Sequence, residues 1–276
     1  MSLTVKPLTQ SIGVEVTGAD LSTSVPKDAF DTMKQALRDH LVMVVRDQTL
    51  GPAQLLAVAR LFGETMEQHL TDVLMAEHPE IALLDSRAMP PDQHGRVIPF
   101  GGRDWHTDHT NHARPPKYTL LYAVKLPSSG GDTSFANMHD AYAFLEPEEQ
   151  QNLAALKTVN TIEDFAYIGD DAREKFGTLP VHPLVRTHPE TGRKALYVHP
   201  GKLDRIEGRE PEESRAFVDA LLDRVIRPEN TYRHKWRPGD LLFCDNRAVL
   251  HVAHKDYDMT EGRVMQRILL QGDVPV

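Results

Sequence analysis

Asp104-Trp-His-Thr-Asp108 and Asp245-Asn-Arg-Ala-Val-Leu-His251 carry the residue types that hold a metal ion through nitrogen and oxygen. His106 and Asp108 are two apart, so an extended strand would send both side chains off one face. His251 lies far along the chain, after the apolar run Leu241-Leu-Phe-Cys244. Two imidazoles and one carboxylate leave the opposite face of an ion open, a set suited to Fe(II) and dioxygen chemistry. A second ligand set, Asp104, His106, Asp108 and His109, would instead suit a metal-dependent hydrolase.

Arg263 and Arg267 follow His251 and are four apart. If Arg263-Val-Met-Gln-Arg267 is one strand, both guanidinium groups leave the same face. Near a metal ligand, two such groups make a site for the carboxylate ends of small molecules. The competing use is ion pairing with some of the chain's 40 acidic residues.

The elements that must position these residues are legible in part. Ile12 to Thr17 alternates as a strand. Residues 27–39 carry Phe30, Met33, Ala36 and Leu37 at helical spacing, and Pro26 suits the helix start. Leu41 to Val45 reads as a buried strand, and Gln54 to Phe62 as a second helix ended by Gly63. The stretch near 87–104 is rich in Pro and Gly and directly precedes His106, which suits a lid loop. Strand signals follow at Lys117–Val124 and Thr133–Ala136. A helical insert is expected near 137–180, with helices at 137–145 and from Pro147 to about Leu156, then a polar loop. Strands resume at Leu184–Thr187, Ala195–Val198, Asp240–Phe243 and Val264–Gln271, with a helix over Pro211–Ile226 between them. No repeat or linker divides the chain, so residues 1–276 read as one domain. Its expected class is mainly β with helical decorations, a double-stranded β-helix or jelly roll.

Bulk composition narrows the partners. With 31 basic and 40 acidic residues the formal net charge is −9, so a global footprint for nucleic acid is missing. No apolar run approaches the ~18 residues of a membrane span. The chain starts without a secretion signal, and its single cysteine, Cys244, fits a reducing compartment. A cytoplasmic location is the expectation.

Further segments carry a resemblance. Trp105-His-Thr-Asp108, Gly130-Gly-Asp-Thr133, His182-Pro-Leu-Val-Arg-Thr-His-Pro189, Trp236 with Pro238-Gly-Asp240, Asp245-Asn-Arg247, His251 and Arg263-x-x-x-Arg267 recur in order. In that order the chain resembles the taurine dioxygenase / dichlorophenoxyacetate dioxygenase family of Fe(II)- and 2-oxoglutarate-dependent oxygenases. Gly13-Val-Glu-Val-Thr-Gly-Ala-Asp-Leu21 extends the similarity to nearly the whole chain.

The resemblance implies that His106, Asp108 and His251 ligate Fe(II), with 2-oxoglutarate as co-substrate. Arg263 would pair with its distal carboxylate, and Thr133 would donate a hydrogen bond to that end. Arg267 would help hold the anionic head of a small organic substrate, with Lys202 or Arg103 as helpers. The implied reaction is oxidation, in the simplest case hydroxylation, of an aliphatic substrate carbon by O2, releasing succinate and CO2. Gly102-Arg103-Asp104 and Tyr197-Val-His-Pro-Gly-Lys202 differ from the segments of taurine-specific members, which argues against taurine itself. Members are often dimers or tetramers, so a homo-oligomer is in keeping, though no interface is legible. Two other classes stay open beside this one: the hydrolase above, and a non-catalytic jelly-roll binding protein.

Overall fold

The structure, a computed structural model, describes residues 3–68, 73–88, 105–162, 174 and 177–276. Its first half builds one large sheet. The strands are β1 (Thr4–Pro7), β2 (Val14–Thr17), β3 (Val42–Val45), β4 (Leu74–Met75), β5 (His78–Asp85) and β6 (Tyr118–Lys125). Two later strands, β14 (Leu241–Asp245) and β16 (Val264–Leu270), slot between them, giving the order β1-β2-β3-β14-β6-β16-β5-β4. Interleaving strands from both ends of the chain is what draws the distant ligand candidates together.

A smaller sheet, ordered β13-β7-β15, pairs β7 (Thr133–Asn137) with β13 (Thr231–His234) and β15 (Val249–Ala253). Two accessory sheets complete the description. One orders β12 (Leu203–Ile206), β8 (Lys157–Asn160) and β9 (Val181–Pro183), and the other pairs β10 (Val185–Thr187) with β11 (Lys194–Leu196). The architecture is the expected jelly roll.

Period-two alternation sorts the large sheet into two faces. Met43, Val45, Leu241, Phe243, Leu120 and Ile268 face α1 (Lys27–His40) and α2 (Pro52–Phe62). Met33 and Leu37 of α1 and Leu55, Leu56 and Phe62 of α2 fill that layer. Each such side chain removed from water contributes on the order of 1.5–3 kcal/mol. Leu41, at φ 65°, ends α1 in the left-handed region and turns the chain directly into β3. The opposite face, with Val42, Leu242 and Cys244, packs on Phe135 and Val249 of the smaller sheet. Beneath these lie α3 (Met138–Ala143), α4 (Pro147–Ala154) and α5 (Pro211–Val225), which contribute Ala141, Leu153 and Val218.

Two departures from the sequence reading matter. Residues 104–109 were expected as a strand, but among the described residues only His106 pairs, in an isolated bridge with His251. Beyond it the Thr107 hydroxyl bonds the Asn246 carbonyl at 2.7 Å and His109 turns through φ 50°, which ends the ladder. Lys157–Asn160 was read as the start of a polar loop and is strand β8. Residues 89–104, most of the expected lid, and 163–173 of the expected insert lie outside the described residues. Among the described residues, no helix is long and apolar enough to cross a membrane.

Strand β14 is held at both ends by buried carboxylates. Asp240, just before it, accepts from Arg46 Nη1 at 2.6 Å and lies 3.0 Å from His234 Nε2. Asp245, its last residue, accepts two bonds from the Arg247 guanidinium, at 2.8 and 2.7 Å, and lies 3.0 Å from His188 Nε2. Burial works against the Asp245 charge, yet Arg247 and His188 outweigh it and hold this carboxyl far below the usual range. Stability drawn from such a depressed group is complete above about pH 4 and fades as pH falls toward the folded-state value. Asp245→Asn should therefore cost about 3–5 kcal/mol in denaturant melts at pH 7. The gap from wild type should shrink steadily below about pH 4; a pH-independent gap would contradict this account.

Candidate metal centre

The site sits between the two sheets. His251 lies on β15, opposite Phe135 of β7, and Thr133 begins that same strand. The His106–His251 bridge is reciprocal: His106 N donates to His251 O at 3.0 Å, and His251 N to His106 O at 2.7 Å. This pairing brings the two imidazole centroids to 4.3 Å. Asp108 Oδ1 lies 4.0 Å from His106 Nε2 and 3.9 Å from His251 Nε2. The three ligand-type atoms fall within 4.8 Å of one another, and all three residues are buried. One ion can reach all of them.

The protonation states suit a cation. Burial opposes the Asp108 charge, but His251, Arg267, His106 and the Thr119 hydroxyl prevail and hold its pKa down to about 2. Burial pushes His251 down to about 3; His106 and Arg267 act with it and Asp108 against it. Near neutral pH the pair is thus an anionic carboxylate and a neutral imidazole, the forms a metal requires.

Arg267, on β16, faces the same interior as Thr119: Leu269 pairs with Thr119, and Arg267 lies two residues before Leu269. Its Nε and Nη2 both donate to Gln68 Oε1, at 3.1 and 2.8 Å. Gln68 is itself fixed by its Nε2, which donates to Glu80 O at 3.0 Å. Arg263 stands one residue ahead of β16 rather than inside it. Its Nε donates to Gly131 O at 3.0 Å, and among the described residues no carboxylate lies within ion-pair distance. A Cβ at Gly131 would sit 3.2 Å from Arg263 Cδ at a φ of +72°, so glycine is what lets the backbone approach the guanidinium. Trp236 links this arginine to Thr133: its Nε1 donates to Thr133 Oγ1 at 3.0 Å, and its ring lies 5.8 Å from the Arg263 guanidinium. A half-buried guanidinium beside an oriented hydroxyl fits a carboxylate end.

Lys202 is 3% exposed at the end of a short 3-10 turn. After burial and His106, its charge is the next influence depressing His199, whose ring lies 4.9 Å from that of His106. Arg103 and Asp104 lie outside the described residues. His109 packs edge-on against His112, with centroids 5.5 Å apart, and does not join the three-residue cluster. The four-residue hydrolase set is thus not assembled among the described residues.

Sequence reasoning passed over Gln68, Thr119 and His199. Thr119 had a signal: it is the one aliphatic hydroxyl in the run Tyr118 to Val124. Gln68 had none, because its partner is 199 residues away.

The comparisons with known proteins agree with this geometry. The family described as "Taurine catabolism dioxygenase TauD, TfdA family" matches residues 4–269. Pentalenolactone F synthase of Streptomyces arenae is 33% identical over 284 residues, covering 96% of this chain and 93% of that protein. An alpha-ketoglutarate-dependent sulfate ester dioxygenase of Pseudomonas putida is 34% identical over 292 residues, covering 100% and 92%. The crystal structure of a taurine dioxygenase from Burkholderia xenovorans superposes with a TM-score of 0.81 at 33% identity, covering 100% of this chain and 91% of that one. With a match spanning nearly every residue and relatives above 30% identity along it, the chain belongs to the TauD/TfdA family of dioxygenases.

Proposed function

We propose that this Fe(II)- and 2-oxoglutarate-dependent dioxygenase divides its work among three groups of residues. His106, Asp108 and His251 hold the metal. Arg263 and Thr133 hold the distal carboxylate of 2-oxoglutarate. Arg267 and Lys202 hold the anionic head of a small organic substrate whose aliphatic carbon is oxidised. The observation that carries the reading is the convergence of two imidazoles and one carboxylate within 4.8 Å in a buried site.

When bound, Fe(II) lets 2-oxoglutarate and O2 react to give succinate, CO2 and one oxygen atom on substrate carbon. The chain's own residues do the positioning. Asp108, already ionised, and His251, already neutral, accept a divalent ion without giving up a proton. Arg263 and Thr133 form a fixed anchor with Trp236 behind them, so the co-substrate is oriented rather than merely attracted. Arg267 is clamped by Gln68 through a neutral oxygen, which orients the guanidinium without cancelling its charge. Lys202 adds a buried cation on the His199 side. Two cations suit a carboxylate, sulfonate, sulfate or phosphonate, and the P. putida relative is named for sulfate esters.

The same reading takes residues 1–276 as one domain, with the helices near 137–180 as an insert. It also places the enzyme in the cytoplasm, in keeping with a buried, unpaired Cys244.

Anaerobic titration with Fe(II) and then 2-oxoglutarate tests the centre through the visible metal-to-ligand charge-transfer band. The band should appear in wild type and vanish in His251→Ala. Arg263→Ala should need about 10- to 100-fold more 2-oxoglutarate, the loss expected for a hydrogen-bonded charge. No band in folded, metal-replete protein would sink the reading. Substrate recognition is tested by succinate release across small carboxylates, sulfonates and sulfate esters. Lys202→Met should raise KM for an accepted anion about tenfold or more while leaving the 2-oxoglutarate requirement unchanged. An unchanged KM would remove Lys202 from the substrate site.

A further inference from the structure

We propose that Thr119, oriented by Asn246, is a positioning residue that decides which oxygen of Asp108 faces the metal. The inference rests on the reading of His106, Asp108 and His251 as the metal ligands. The Thr119 hydroxyl donates to Asp108 Oδ2. The other oxygen, Oδ1, is the one that lies 4.0 and 3.9 Å from the two histidine Nε2 atoms. One oxygen is therefore engaged by protein, and one is presented to the ion.

The direction of that bond is fixed by the next residue out. A hydroxyl has a single hydrogen to give. Asn246 Nδ2 donates to Thr119 Oγ1 at 2.8 Å, filling an acceptor position and leaving the hydrogen for Asp108. The orientation of the Asn246 amide is set in turn. Its Oδ1 accepts from Asp108 N at 3.3 Å, which leaves Nδ2 to face Thr119. The Thr107 hydroxyl gives its hydrogen to the Asn246 backbone carbonyl at 2.7 Å, which fixes this residue's backbone. Thr107 and Asn246 are fully buried and Thr119 nearly so, which leaves little room for water to replace any of these bonds.

The strand context supports a role beyond packing. Thr119 lies opposite Cys244 of β14 and Leu269 of β16, so neither cross-strand neighbour offers its hydroxyl a strong partner. A buried hydroxyl without a partner would be costly, and here its acceptor is the metal-ligand carboxylate. The terminal carboxylate torsion is otherwise broad and nearly two-fold, so a free Asp108 could present either oxygen or both. Two-oxygen chelation would occupy a metal position that the co-substrate or dioxygen needs. Engaging Oδ2 keeps that position open.

The test is the Mn(II) dissociation constant of the full chain, with Mn(II) as the probe, for wild type, Thr119→Val, Thr119→Ser, Thr119→Ala and His251→Ala. Valine keeps the shape and removes the hydroxyl. Thr119→Val should weaken Mn(II) binding about 10- to 100-fold, the range for partners of metal ligands, and Thr119→Ser should restore it. Wild-type affinity in Thr119→Val, or serine as weak as valine, overturns the proposal. Should Thr119→Val fail to fold, Thr119→Ala against Thr119→Ser reads out the same difference. If wild type binds Mn(II) no better than His251→Ala, the ligand assignment has failed instead, independently of Thr119.

Discussion

Strand β14 is the constraint on which the site depends. Its two ends are fixed by buried carboxylates, Asp240 with Arg46 and His234, and Asp245 with Arg247 and His188. A carboxylate this deep is stable only when its charge is met by hydrogen-bonded partners at defined positions, so each pair fixes geometry as well as energy. Asp245 sets the position of Asn246, whose amide reaches Thr119 and the backbone of Asp108. The chain then continues into β15, where His251 meets His106. One buried ion pair thereby locates two of the three ligand candidates.

Charge at the centre is balanced rather than merely clustered. Arg267 favours the Asp108 anion and disfavours protonation of His251, so one guanidinium supports both states that a metal ion needs. Gln68 makes this affordable. It satisfies two donors of Arg267 with a neutral carbonyl, where an acid would have formed a closed ion pair. The guanidinium is thus oriented by a neutral oxygen while its charge acts on Asp108. Arg263 is treated in the same way: a backbone carbonyl, not a carboxylate, fixes its Nε.

Much of this was legible in the residues. His106, Asp108 and His251 are short-range signals of ligand chemistry, and the helices at Lys27–His40 and Pro211–Val225 follow from apolar spacing. What sequence hides is pairing. Strand β5 contains Pro79 and no clean alternation, yet lies near the edge of the large sheet because β16 pairs with it. The segment at His106 looked like a strand because of its spacing, but its geometry comes from one bridge to a residue 145 positions on. Gln68 and Thr119 are ordinary polar residues whose roles exist only through contacts made by folding. Local pattern reveals elements; it does not reveal which side chains those elements bring together.

The division between strand-borne and turn-borne candidate residues fits a scaffold found in relatives with different names. His251, Thr119 and Thr133 are carried on paired strands within the two-sheet core, and His106 is tied to it by the bridge. Lys202 instead stands on a short turn between β11 and β12. A residue on such a turn can change without disturbing the strand register that holds the metal ligands. Proteins named as a pentalenolactone F synthase and a sulfate ester dioxygenase are each about a third identical to this chain along nearly its whole length. That pattern follows if the core preserves the oxidising centre while turns and loops choose the molecule presented to it. Lys202 is a buried cation on such a turn, close to His199. If Lys202 and Arg267 hold the anionic head as proposed, one of the two cations sits on a turn that can change and the other on a core strand.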